Sequence, residues 1–391
     1  MTRETVFTNT RVVLGDETVL GSVLIRDGLI ADVATGPATT VGEDLDGDHL
    51  MPGVVELHTD HLEYHFSPRP GVSWDPLPAV LAHDAQLSAA GATTVFDAVR
   101  IGSEPDGRDG AAAAAHRLAE AVESAMDAGL LRADHAIHLR CEVSSADCLD
   151  AFHEFDDDQY VRLASLMDHT PGQRQYADVE DFKRYYLAKR RVSEADFEQY
   201  VQLLHEQSAL HADRNRRAIA GLAAERGITL AAHDDATPEH VAESVSLGVH
   251  ISEFPTTVVA ARAAVDQGLQ VVMGAPNIVR GGSQSGNVAA ADLLDLGLLD
   301  VLSSDYVPSS PLHAVFQLAG DGVVSMAQGA RLISTNPARA VGLDDRGEIA
   351  VGKRADLVRV ATHELPADER RPKGRHMPVV RGVYRTGERV S

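Results

Sequence analysis

Five short apolar runs in this 391-residue chain close with side chains that bind metal ions or move protons: His58-Thr59-Asp60, Glu142, His233-Asp234-Asp235, Glu253 and Asp305. A sixth run is followed within a few residues by Asp168-His169. Residues two apart on a strand face the same way, so His58 and Asp60 are expected to point together into one cavity. By the same alternation Glu142 shares a face with Arg140, while Leu139 and Cys141 face away. A single His or Asp at a strand end is commonly just a helix cap. Five or more imidazoles and carboxylates arriving at one rim are another matter, because clustered carboxylates raise one another's pKa. A cation between them removes the conflict. Mixed nitrogen and oxygen donors suit Zn²⁺, Mn²⁺ or Fe²⁺ better than Ca²⁺. Such an ion brings the pKa of a bound water from about 16 towards 7, so the expected reaction class is hydrolysis.

Positioning these groups requires strands that deliver their ends to one place. From Met51 onward, eight apolar runs alternate with Ala-rich helical stretches: 53–57, 93–96, 136–141, 161–166, 228–232, 249–252, 270–273 and 301–304. That is the pattern of a parallel (β/α)8 barrel, whose catalytic groups sit at the carboxyl ends of its strands. A doubly wound sheet is the main structural competitor. The first 50 residues instead alternate short β-type runs with the turn signals Gly15-Asp16 and Asp27-Gly28, and β texture returns after Pro337. The expected fold is therefore α/β: a distorted (β/α)8 TIM barrel over 53–337 with a small β-sandwich domain formed by both termini, 1–52 plus 338–391. Residues 170–227 form a long connection with charged amphipathic helices, and a helical hairpin over the barrel mouth is expected there.

The balance of 35 Lys plus Arg against 58 Asp plus Glu leaves a formal net charge of −23. Nucleic acid and anionic membrane faces are poor partners for such a chain. The apolar share of 44% supports a full core, and no window reaches bilayer-spanning length. Two cysteines, Cys141 and Cys148, give no disulfide framework. Together with an N-terminus that lacks a secretory pattern, these features lead to the expectation of a cytoplasmic protein, with a homo-oligomer left open.

Several motifs carry a family resemblance. Met51-Pro52-Gly53 leading into the first metal-binding run, with Asn336-Pro337-Ala338-Arg339-Ala340 and the stretch from Gly347 to Leu357, resembles the amidohydrolase superfamily. The stretches His58 to His65 with Pro68-Arg69-Pro70, His83 to Leu87, Leu139 to Glu142, Glu253 to Thr257 and Gly274 to Ser283 are similar to the family of α-D-ribose 1-methylphosphonate 5-triphosphate diphosphatase of phosphonate degradation. The resemblance implies hydrolysis of a phosphoanhydride in a ribose 5-triphosphate, releasing pyrophosphate and leaving the 5-phosphate. His61 stands where that family motif is expected to carry Asn. Glu253 stands where superfamily members often use His.

On this basis His58, Asp60, Glu142, His169, His233, Glu253 and Asp305 are the expected ligands of one or two divalent ions, Zn²⁺ foremost, with Mg²⁺ accompanying the triphosphate. Asp305 is the expected catalytic base. Arg is the best planar donor to phosphate oxygens, which nominates Arg69, Arg140, Arg174 and Arg280 for the substrate, a phosphorylated sugar phosphonate. Asn277 and Ser283 join them from the glycine-rich stretch after the seventh run, where barrels often bind phosphate. Two other readings fit the same residues: a cyclic amide hydrolase or deaminase, and a non-catalytic interaction barrel.

Overall fold

Each of the eight apolar runs is a strand in the computed structural model, which describes residues 3–37, 39, 41–69, 71–103, 111–171, 174, 194–283, 286–367 and 374–391. The barrel strands are β6 (Val54–Thr59), β7 (Ala92–Ile101), β8 (Asp134–Glu142), β9 (Val161–Met167), β10 (Thr229–His233), β11 (Ile251–Glu253), β12 (Gln270–Gly274) and β13 (Val301–Ser303). They pair in sequence order and all in parallel. A bridge between Thr59 and Asp305 joins the last strand back to the first. This is a closed barrel rather than a doubly wound sheet.

Alternation along the strands explains the two layers. Val55, Leu57, Phe96, Leu163, Ala231, Ile251, Val272 and Val301 point inward and pack together, with Ala136 of β8 against them. Ala338 and Val341 close this interior core from below. They come from the helix Thr335–Ala340 and the residue after it, so the Asn-Pro-Ala-Arg-Ala motif serves as the barrel's plug. Asn336 donates to the Asp300 carbonyl at 2.7 Å, and Thr335 donates to the Gly347 carbonyl at 2.7 Å. Gly347 has φ +85°, and a Cβ there would stand 2.8 Å from the Ser334 carbonyl oxygen, so only glycine fits this crossing. Leu139 and Cys141 face outward into the barrel–helix core, as the alternation requires, and both cysteines are buried free thiols.

The termini form a second sheet from β1 (Glu4–Val13), β2 (Thr18–Arg26), β3 (Leu29–Thr35), β4 (Glu43–Asp44), β5 (His49–Pro52), β14 (Leu357–Leu365), β15 (Arg375–Arg385) and β16 (Glu388–Arg389). Its order is β16-β15-β14-β5-β1-β2-β3, with β4 beside β1. Phe7 of β1 and Tyr384 of β15 lie three strands apart in that order, roughly 14 Å in a flat sheet, yet their rings are 4.7 Å apart. The sheet therefore curls over a shared core of Phe7, Val12, Val23, Ile25, Leu50, Leu357 and Tyr384. Arg346, Arg354 and Arg385 reach from this end of the chain to Asp134 at the start of β8, at 2.8, 2.7 and 3.4 Å.

Of the expected helical hairpin, the structure describes one arm, the helix Glu194–Arg226. The stretch 182–186, read as the other arm, lies outside the described residues. Asn215 of this helix donates to the Val143 and Ser145 carbonyls at 3.0 and 2.8 Å, anchoring it beside the end of β8. Among the described residues no helix is long and apolar enough to cross a membrane.

Candidate active site

The ends of β6, β8, β10 and β11 carry ionisable side chains into one buried cluster at the barrel mouth. His58 Nδ1 lies 2.7 Å from Glu253 Oε1. His233 Nδ1 lies 2.6 Å from Asp234 Oδ2, and its Nε2 lies 3.9 Å from Glu253 Oε2. His169, from the turn after β9, stands 2.6 Å from Glu142 and 3.7 Å from Asp234. The His58 and His233 ring centres are 5.8 Å apart, as are those of His233 and His169. Five of the expected ligands, His58, Glu142, His169, His233 and Glu253, are thus linked by direct contacts.

The other two stand at the edge of this cluster. β6 stops at Thr59, and Asp60 is the N-cap of helix α1 (His61–Phe66), with φ −95° and ψ 14°. It lies one residue past the strand's end, and its carboxylate stands 3.7 Å from Arg140. Asp305 follows β13, and its amide donates to the His58 carbonyl at 3.0 Å. Gly274 at the end of β12 makes room for it, since a Cβ there would lie 3.2 Å from Asp305 Oδ2.

Three non-glycine residues with left-handed backbones ring the mouth: Asp234, Phe254 and Asp305, with φ of 62°, 54° and 52°. Each comes immediately or one residue after the end of its strand, and each amide still bonds the neighbouring strand, at 2.9, 2.9 and 3.0 Å. Such conformations cost on the order of 1–3 kcal/mol each and persist where the surroundings enforce them, commonly at functional sites. Here they turn the chain sharply enough to hold the side chains over the barrel axis. The Phe254 ring packs edge-on against His58 and His233, at 5.0 and 5.2 Å.

Electrostatics follow from burial and these pairings. Burial alone pushes the Asp305 carboxyl up, the carboxylates of Asp60 and Glu253 add to this against His58 and Arg140, and the result is about 6. Burial also raises Glu142, but the His169 charge and hydrogen bond outweigh it and bring it to about 2. His169 shows the reverse: burial lowers it, and Glu142 with Asp234 lifts it to about 9. Burial pushes His138 down to about 3, so it stays a neutral imidazole.

The donor set fits a divalent transition metal. Atoms of His58, His138 and Glu253 lie within 4.8 Å of one another, as do those of His169, His233 and Asp234. His233 Nε2 is buried and has no hydrogen-bond partner among the described residues. An orphaned buried imidazole nitrogen amid carboxylates is costly without an ion or other partner to engage it.

Reading strand ends alone missed several of these groups. His138, Ser165 and Glu56 all belong to the cluster, and Asp234, read at a strand end but not as a ligand, belongs to it too. Ser165 Oγ lies 2.5 Å from His138 Nε2 and 2.7 Å from Glu253 Oε2. Glu56 accepts from the His58 and Ser304 amides at 2.8 and 2.7 Å, so it braces the first and last strands from inside. His138 was legible in principle, because it shares a strand face with Arg140 and Glu142.

The expected substrate residues are dispersed. Arg140 projects into the mouth, with its Nε buried and without a hydrogen-bond partner among the described residues. Arg174 is buried instead and forms ion pairs with Asp235 and with Glu243, the latter at 3.2 Å. Arg69 and Arg280 are exposed, and Arg280 donates to the Tyr306 hydroxyl at 3.3 Å. The glycine-rich stretch begins as a helix, Ala275–Arg280, which Gly281 ends with φ +82°. Asn277 lies in that helix and caps the next, its Oδ1 accepting from the Ala290 amide at 3.1 Å. Ser283 lies half-buried beyond Gly282.

A closed parallel barrel with histidine and carboxylate side chains clustered at its carboxyl rim, joined to a sheet built from both termini, defines a hydrolase class. The chain belongs to the amidohydrolase family, a metal-dependent family whose model matches residues 166–391. It is 46% identical over 357 residues to α-D-ribose 1-methylphosphonate 5-triphosphate diphosphatase of Escherichia coli (strain K12), a match covering 90% of this chain and 94% of that protein. Among solved structures it resembles N-acetyl-D-glucosamine-6-phosphate deacetylase from Mycobacterium smegmatis, with TM-score 0.60 and 17% identity over 99% of both chains. Dihydropyrimidinase from Brevibacillus agri gives TM-score 0.56 and 15% identity over 99% of this chain and 95% of that one. These two likenesses concern the fold.

Proposed function

We propose that the protein is a metal-dependent diphosphatase that hydrolyses a phosphoanhydride of α-D-ribose 1-methylphosphonate 5-triphosphate to the 5-phosphate and pyrophosphate. The observation that carries this reading is the 46% identity to a diphosphatase of that name across nine-tenths of the chain. The clustered histidines and carboxylates at the barrel mouth supply the means. His58, Asp60, Glu142, His169, His233, Glu253 and Asp305 would hold one or two divalent ions, Zn²⁺ foremost with Mn²⁺ or Fe²⁺ as substitutes. When bound, such ions act as Lewis acids on phosphoryl oxygens and make water more acidic.

The chain's own groups do the rest. Asp305 accepts a proton from the attacking water, and a carboxyl near 6 is suited to that near neutral pH. The water oxygen joins a phosphorus in line with the departing phosphoryl oxygen, and one P–O bond of the anhydride breaks. Arg140 at the mouth, with Arg69, Arg280, Asn277 and Ser283, would supply donors to the phosphate oxygens. Arg174, buried and paired with Asp235, would act by fixing that residue two positions after His233. On this reading the substrate is a small phosphorylated sugar phosphonate and the enzyme a cytoplasmic one. A cyclic-imide hydrolase would need the same mouth without phosphate donors.

The test is to supply candidate ribose 5-triphosphates and a panel of cyclic imides with divalent metals, and to follow products by ³¹P NMR. Pyrophosphate and the 5-phosphate in equal amounts are expected. Imide opening without phosphoanhydride cleavage would overturn the reading.

A further inference from the structure

A second histidine cluster lies on the outer side of the barrel wall, on α1 and on helix α2 (Pro76–Ala89). His61 and His65 are four residues apart and so project from one face of α1. Their ring centres are 5.2 Å apart, and His83 of α2 faces both, at 6.4 and 6.0 Å. One ligand atom from each of the three lies within 4.8 Å of the others.

The proton arrangement leaves nitrogen lone pairs turned to one another. His83 is fully buried, and its Nε2 donates to Asp97 Oδ1 at 2.7 Å, so the neutral imidazole carries its lone pair on Nδ1. That Nδ1 and the Nδ1 of His61 are both buried without a hydrogen-bond partner among the described residues. His65 Nε2 donates to Gln86 Oε1 at 3.0 Å, so its Nδ1 is likewise the free acceptor. A carboxylate behind a histidine, fixing its tautomer and raising its basicity, is the usual support of a metal-binding imidazole.

Asp97 is itself held in place. Its other oxygen meets His135 Nδ1 at 2.7 Å, and His135 Nε2 lies 3.4 Å from Asp84, which is paired with Arg132 at 3.0 Å. His83 thus has one orientation, while His61 and His65 are half-buried on a short helix and can adjust. Zn–N bonds of about 2.0–2.1 Å place tetrahedral ligands roughly 3.3 Å apart, a closure within reach of two side-chain rotations.

We propose that His61, His65 and His83 form a separate three-histidine site for a divalent first-row transition metal such as Zn²⁺ or Co²⁺, with Asp97 as the carboxylate that orients His83. Three neutral imidazoles leave the ion its positive charge. Because His61 and His65 are partly exposed, a fourth ligand enters from solvent.

Metal-stripped full-length protein is loaded with Zn²⁺ or Co²⁺, freed of excess, and assayed for bound metal by mass spectrometry and for Co²⁺ by its visible absorption. The wild type should retain one equivalent more than the His61→Asn, His65→Phe double variant. A His169→Asn, His233→Ala variant, altered in the barrel mouth, should still take up that equivalent and show its Co²⁺ band. The single His65→Phe variant, with a circular dichroism spectrum like the wild type, should bind the outer ion at least about tenfold more weakly. Equal metal content and equal Co²⁺ spectra in the wild type and the double variant would overturn the proposal. None of these readouts depends on which substrate the barrel hydrolyses.

Discussion

The barrel mouth and the buried network behind it use the same residue types to opposite ends. In the network, His135 is consumed on both sides, by Asp97 at 2.7 Å and Asp84 at 3.4 Å, and the chain of pairs ends on Arg132. In the mouth, His233 is hydrogen-bonded on one side only, by Asp234 at 2.6 Å; its second nitrogen stands 3.9 Å from Glu253 and has no hydrogen-bond partner among the described residues. A histidine flanked by two carboxylates is an ion pair that needs nothing more. A histidine with a carboxylate on one side and an unpaired buried nitrogen on the other has coordination left to give. The difference lies in which atoms remain unsatisfied, and it separates structure from chemistry more sharply than composition does.

Substitutions should sort the two regions by what they damage. The largest effect is expected from Asp305→Asn, which removes the proposed proton acceptor and should lower turnover by about 10²–10⁴-fold, more than any accompanying loss of metal accounts for; steady-state kinetics with metal analysis checks this. Next, Asp234→Asn should weaken metal affinity by about 10–100-fold, because the carboxylate that orients His233 is lost while the imidazole stays; chelator competition measures it. Neither change should lower the melting temperature much.

His135→Gln should do the reverse, costing on the order of 3 kcal/mol of stability by removing the buried imidazole between Asp97 and Asp84, which keep only their outer partners His83 and Arg132. Burial disfavours charged His135, but Asp97 and Asp84 raise its pKa from 6.5 to about 9. A raised folded-state pKa means that the contribution is complete below about pH 6.5 and disappears as pH climbs through about 9. Urea unfolding between pH 6 and 9.5 should therefore show wild-type stability falling across that window, with the variant flatter. The smallest effect is expected from Arg280→Ala at the exposed rim, a rise in KM of up to about tenfold with kcat nearly unchanged.

Much of this was legible in the sequence, for reasons that can be named. All eight barrel strands were readable as apolar runs because parallel strands buried on both faces are continuously apolar. Glu142 and Cys141 were assigned opposite faces correctly because the strand period is 2. Asp60 lies one residue past the end of its strand, because the strand gives way to a helix opening at His61, a boundary that alternation alone does not mark. Asp234 and Phe254 were invisible as structural devices, since nothing in the residue types announces a positive φ in an aspartate or a phenylalanine. The outer histidines were scattered over 61, 65 and 83, and only the packing of α1 on α2 brings them together. Arg174 read as a rim residue because it follows the ligand-bearing turn, yet Asp235 and Glu243 draw it inside.

The contrast between the regions rests on the mouth being a site for phosphoanhydride hydrolysis, and the most direct measurement is of its products. Metal-loaded enzyme given α-D-ribose 1-methylphosphonate 5-triphosphate in ¹⁸O-labelled water should yield pyrophosphate and the 5-phosphate in a one-to-one ratio, with a single labelled oxygen per turnover and no reaction in the Asp305→Asn variant on the same time scale. Intact triphosphate, or release of inorganic phosphate alone, would contradict the account.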